Sequence, residues 1–139
     1  MYRKIVILTN KKVRGGAYQM NFTIENKENF TLIILPEKLD NSISDILKKK
    51  LVELTTSGVK NIVFDMSLSK YCDMSGLSVM LVGNRLCKNS NGLFLLINVH
   101  EAIKNLIIIA HVAQILSIRA SLQEAEDFIN DPANVENID

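Results

Sequence analysis

The chain has 139 residues, 47% of them hydrophobic and 22% charged, with a formal net charge of +1. This is enough for one domain with its own core, and two cysteines, Cys72 and Cys87, outside any CxxC pair, exclude a disulfide framework and fit reduced cytoplasmic thiols. The longest apolar runs, 106–110 among them, have five residues, too short for a membrane span, and the apolar stretch at 5–8 is too short for a signal peptide, so a chain neither exported nor inserted is expected.

Residues 1–19 carry Arg3, Lys4, Lys11, Lys12 and Arg14 and no acid, a charge of +5 that leaves −4 for the rest. They read as a basic extension, disordered or adding a strand through residues 5–8. The alternative to a solvated leader is a tether to nucleic acid or an anionic membrane; neither is taken as a partner here. A regular pattern starts at Met20, where Met20, Phe22 and Ile24 alternate with polar residues as in a half-buried strand. Asn26-Lys27-Glu28-Asn29 makes a turn, and an apolar strand from Phe30 to Leu35 ends at Pro36, which predicts a hairpin. Asp40-Asn41-Ser42 offers helix caps ahead of Ile43, Ile46, Leu47, Leu51 and Leu54 on one face, with Lys48, Lys49 and Lys50 mostly on the other, solvated face. Gly58 stops that helix.

A short apolar strand over 61–65 suits the centre of a sheet. A second helix opens at Ser75 and runs to about Lys88. Its Val79, Met80, Val82, Leu86 and Cys87 are expected against the sheet, and Met74, Leu77 and Leu81 outward beside Ser78. After the break at 89–92, residues 93–97 form another buried strand. A third helix over 100–110 turns Ala102, Ile103, Leu106, Ile107 and Ala110 inward, although the β-branched run Ile107-Ile108-Ile109 argues for a strand instead. Residues 115–118 read as a last strand. Ser121 and Glu124 form a capping box opening a final helix with Ala125, Phe128 and Ile129 inward. A polar tail, 131–139, closes the chain. The order β-β-α-β-α-β-α-β-α predicts an α/β fold with a mostly parallel central sheet and helices packed against it.

Partners of open α/β sheets gather beyond the carboxyl ends of the strands. Asp73-Met74-Ser75-Gly76 falls there, at a helix N-terminus where Asp73 or Ser75 can cap free N–H groups and Gly76 permits a close approach. A serine in this place is ordinarily a cap; it is also placed to accept a phosphoryl group, which adds a charge of about −1.5 to −2. Cys72, His100 and Asp73 could be imagined as nucleophile, base and orienting acid, but a buried inert thiol is the simpler reading of Cys72. His100 and His111 lack metal-ligand spacing, and no phosphate-cradling glycine loop is present. No catalysis, metal or cofactor is expected.

The segments Leu35-Pro36-Glu37-Lys38-Leu39-Asp40, the strand ending in Asp65, Asp73-Met74-Ser75-Gly76-Leu77 and Gly92 together resemble the STAS domain (sulfate transporter and anti-sigma factor antagonist) over about residues 20–130. The stand-alone members it resembles are bacterial anti-sigma factor antagonists. The resemblance implies a protein-binding switch in transcription regulation, with an anti-sigma factor serine kinase and a serine phosphatase as partners. By position it makes Ser75 the phosphoacceptor and Asp73 the preceding acid. It places Asp40, with Met74, Gly76, Leu77 and Ser78, on the partner-facing surface. Met74 departs from the Ser or Thr common in the family, which bears on partner identity more than on mechanism. A STAS-type regulatory or scaffold module outside sigma-factor control is the alternative.

Overall fold

The structure, a computed structural model, describes residues 3–12 and 18–131, with side chains from Phe22 onward. The expectations for residues 1–2, 13–17 and 132–139 lie outside it. Among the described residues eight strands and four helices follow one another: β1 (Arg3–Lys12), β2 (Tyr18–Asn26), β3 (Thr31–Ile34), β4 (Lys38–Leu39), α1 (Asn41–Thr56), β5 (Ile62–Asp65), β6 (Tyr71–Cys72), α2 (Met74–Asn89), β7 (Phe94–Ile97), α3 (Glu101–Ile109), β8 (Ser117–Arg119) and α4 (Leu122–Asn130).

The main sheet has the order β1-β2-β3-β5-β7-β8. β1, β2 and β3 pair antiparallel, while β3, β5, β7 and β8 run parallel. The α/β class and mostly parallel sheet expected from the alternating elements are what the chain adopts. β1 adds a long edge strand from the basic leader, against Ile5–Leu8 in the sequence reading. A second sheet, not foreseen, joins β4 and β6 in parallel through Lys38–Tyr71 and Leu39–Cys72.

Two apolar clusters sandwich the sheet. One gathers Phe22, Ile24, Ile33, Leu35, Ile62 and Phe64 under Ile43, Leu47 and Leu51 of α1 and Val79, Met80 and Cys87 of α2. The other sets Ala125 and Ile129 of α4 on Leu32, Val63, Leu95 and Ile97. β5 and β7 are covered on both faces, so they read as unbroken apolar runs.

Several sequence readings shift. Ile46 stays exposed on α1 rather than inward. In α3 only Ile103 and Ile107 are fully buried, while Ala102 is exposed. Its β-branched run is nonetheless helical, because burial of Ile103 and Ile107 four residues apart outweighs a weak local preference. Ile115 sits in a turn, exposed, and the last strand begins two residues later. Gly58, with φ of 109°, ends α1 in a conformation open to glycine.

Candidate functional site

The two-stranded β4–β6 sheet positions the site. Its strands end at Leu39 and Cys72, and the next residues, Asp40 and Asp73, are the N-caps of α1 and α2. The Asp73 amide donates to the Leu39 carbonyl at 3.2 Å, which ties the two caps together. The same local chemistry occurs twice. The Asp40 carboxylate accepts from the Ser42 amide at 3.0 Å and the Ser42 hydroxyl at 2.6 Å. The Asp73 carboxylate accepts from the Ser75 amide at 3.0 Å, the Gly76 amide at 3.2 Å and the Ser75 hydroxyl at 2.6 Å. Asp at an N-cap satisfies amides that the helix leaves without partners.

Ser75 is therefore a half-buried serine in the first turn of a helix, its hydroxyl held by a carboxylate. That hydroxyl, reinforced by the Ser75 and Gly76 amides, keeps the Asp73 carboxyl below its usual range despite some desolvation. Burial, with the Asp73 charge adding to it, pushes the neighbouring Cys72 thiol up to about 12, and burial does the same to Cys87. Neither is a thiolate near neutral pH, so the imagined nucleophile lacks its reactive form. His100 makes no side-chain cap; its Nε2 lies 2.9 Å from the Ser67 carbonyl and fastens the α3 entrance to the loop after β5. Among the described residues no three His, Cys, Asp or Glu side chains come together as a metal would require.

Of the residues read from sequence, Asp40, Asp73, Met74, Ser75 and Ser78 lie at this end with some or full exposure. Two do not belong to its outer surface. Leu77 is only 2% exposed and packs in the main core, because it lies one turn before the buried Met80 on the inward face of α2. Gly76 also faces inward. A Cβ there would stand 2.4 Å from the Leu39 carbonyl oxygen and 2.8 Å from Cys72 Sγ, so its bareness serves the packing of α2 on β4.

The sequence reading missed two surface residues. Leu68 and Tyr71 are 58% and 51% exposed, and with Met74, at 65%, they make the 68–74 segment unusually apolar for a surface. Between them Ser69 is fully buried, its hydroxyl donating to the Pro36 carbonyl at 2.7 Å, which pins the loop so that its flanking side chains point out. The spacing 68, 71, 74 was the available signal.

The family model for the STAS domain matches residues 21–125. No curated protein sequence matches the chain. Solved structures share the fold at low identity. A crystal structure of a putative anti-sigma factor antagonist from Thermotoga maritima is 20% identical, with 79% of this chain and 95% of that chain covered and a TM-score of 0.71. The anti-sigma factor antagonist SpoIIAA in its unphosphorylated form is 19% identical over 78% of this chain and 95% of that one, with a TM-score of 0.69. The Bacillus cell fate determinant SpoIIAA in its phosphorylated form is 20% identical over 78% and 99%, with a TM-score of 0.64. With the family model spanning most of the sequence, including both capped helices and the β4–β6 bridge between them, the chain belongs to the STAS domain family.

Proposed function

We propose that this protein is a phosphorylation-controlled binding switch of the anti-sigma factor antagonist kind, engaging a kinase-type partner while Ser75 is unmodified. The observation that carries the reading is the half-buried Ser75 in the first turn of α2, its hydroxyl held 2.6 Å from the Asp73 carboxylate. A kinase approaching this end would meet a hydroxyl already oriented, on a surface whose apolar contacts are Leu68, Tyr71 and Met74. Exposed aromatic and apolar side chains anchor protein interfaces. The partner class is a serine kinase with an opposing serine phosphatase, and the setting is the cytoplasm, where Cys72 and Cys87 remain free thiols. The working unit is residues 20–130.

Transfer of a phosphoryl group to Ser75 Oγ removes the proton that Asp73 accepts. It also places a dianion beside the Asp73 carboxylate and near the Asp40 cap. Inside a dry protein contact, the added charge costs several kcal/mol in desolvation and repulsion. At about 1.4 kcal/mol per tenfold, a penalty of about 3 kcal/mol weakens binding about a hundredfold, with no refolding. The role asked of the chain is binding, and no step of it requires catalysis by this domain.

Intact-mass measurement of protein from its host tests the reading. A species heavier by about 80 daltons should appear in wild type and be absent from Ser75→Ala. Ser75→Asp should bind the kinase about a hundredfold more weakly while unfolding at a similar temperature. Normal binding by folded Ser75→Asp would sink the switch.

Met74 favours a second reading, a STAS-type regulatory module outside sigma-factor control. A large thioether, 65% exposed, stands where a hydroxyl residue is common, and it suits a more apolar partner. A co-purified partner with no kinase fold would support this second reading over the first.

A further inference from the structure

The sulfur atoms of the described side chains divide sharply by exposure. Met66 and Met80 are 0% exposed, in the main core, and so is Cys87. Cys72 is half-buried and lies against Gly76, its thiol pushed up to about 12 by burial and by the Asp73 charge. Met74 alone among them stands in solvent, at 65% exposure. It is also the first residue of α2, between the capping Asp73 and Ser75, and follows the exposed Leu68 and Tyr71 in the same segment. Oxidation of thioethers by peroxides follows access, and it turns an apolar side chain into a polar one.

From this arrangement we infer that Met74 is a redox-modification site, and that its oxidation to the sulfoxide by a hydroperoxide opens the same protein contact that Ser75 controls. The inference rests on the binding-switch reading above. In the reaction the thioether sulfur attacks the terminal oxygen of the hydroperoxide. The O–O bond breaks, the sulfur is oxidised by two electrons to S=O, and the peroxide leaves as water or an alcohol. A thiol-dependent sulfoxide reductase reverses the change. The sulfoxide oxygen is a strong acceptor that must be desolvated when a partner covers it, in the place where the thioether offered only an apolar surface. The surface then responds to two signals, a phosphate on Ser75 and an oxygen on Met74, one residue apart.

Hydrogen peroxide on the folded protein, followed by peptide mass mapping, is the first arm. A gain of about 16 daltons, assigned by fragment-ion sequencing because no Lys or Arg separates Met74 from Met80, should accumulate on Met74 at least about tenfold faster than on Met66 or Met80. The second arm measures affinity for the host serine kinase that labels Ser75, before and after peroxide. Wild type should lose about tenfold or more and recover after sulfoxide reductase treatment, while the affinity of Met74→Leu should not change with peroxide. Equal oxidation of the three methionines in folded protein overturns the inference, as does full Met74 oxidation without loss of affinity. Ser75→Asp in the same assay separates the failures. If it binds weakly and oxidised wild type binds normally, only the redox site falls; if it too binds normally, the switch reading falls and takes the redox site with it.

Discussion

Four consecutive residues at the mouth of α2 do four different things. Asp73 caps, Met74 projects, Ser75 lends a hydroxyl and Gly76 lets the helix close on β4. Leu77, next in line, belongs to the core. Leu77→Ala is therefore expected to cost the fold about 2–5 kcal/mol in chemical denaturation, as for other buried leucines. Met74→Ala should leave the denaturation midpoint nearly unchanged and weaken partner binding instead. The reverse pattern would show that position 77 is a contact residue after all. Asp73 gives a pH signature. Its carboxyl is held low in the folded protein, chiefly by the Ser75 hydroxyl, so its contribution to stability is full above its unfolded value. That value is about 4, and the contribution is lost as pH falls from there through the lower folded value. The unfolding midpoint of Asp73→Asn, followed from about pH 6 to pH 2, should fall less steeply than that of wild type.

At the scale of elements, the β4–β6 bridge decides where the helices start. Two residues in each strand suffice because Leu39 and Cys72 are fixed from below, Leu39 in the core and Cys72 against Gly76. Placing a methyl at position 76 forces it within 2.4 Å of a backbone oxygen that cannot swing aside. Gly76→Ala should accordingly lower stability by about 1–3 kcal/mol, read as a shift of the denaturation midpoint. An unchanged midpoint would mean that α2 can slide on β4.

For the molecule as a whole, the main sheet divides into an antiparallel edge of β1 and β2 and a parallel body from β3 onward, while the small β4–β6 sheet beside it leads into the two capped helices. A chain of residues 20–130 loses β1 yet keeps Phe22 and Ile24 beneath α1 and α2. It is expected to unfold in a single transition at a reduced midpoint and to retain partner binding. Loss of cooperative unfolding would make β1 integral to the domain. The end that bears Asp40 and Asp73 stands opposite the shallow polar groove between the β2–β3 turn and the α1–β5 loop, which lies at the amino ends of β3 and β5.

Local chemistry made much of this legible. Period-2 alternation marked β2, unbroken apolar runs marked β5 and β7, and Asp40, Ser121 and Gly58 marked helix ends that the structure keeps. Those signals depend on neighbours within a turn or a strand, so the sequence alone carries them. It also placed Asp73 and Ser75 at a helix start as alternative caps; the structure makes Asp73 the cap and turns the Ser75 hydroxyl onto its carboxylate. Other features depend on partners far along the chain, and there tertiary packing decided. It set β4 beside β6 across 33 residues, sent Leu77 inward and Leu68 and Tyr71 outward, and brought two capped helix ends to one side of the sheet. A side chain's burial depends on what lies across from it, and that is fixed only when the sheet and its helices close together.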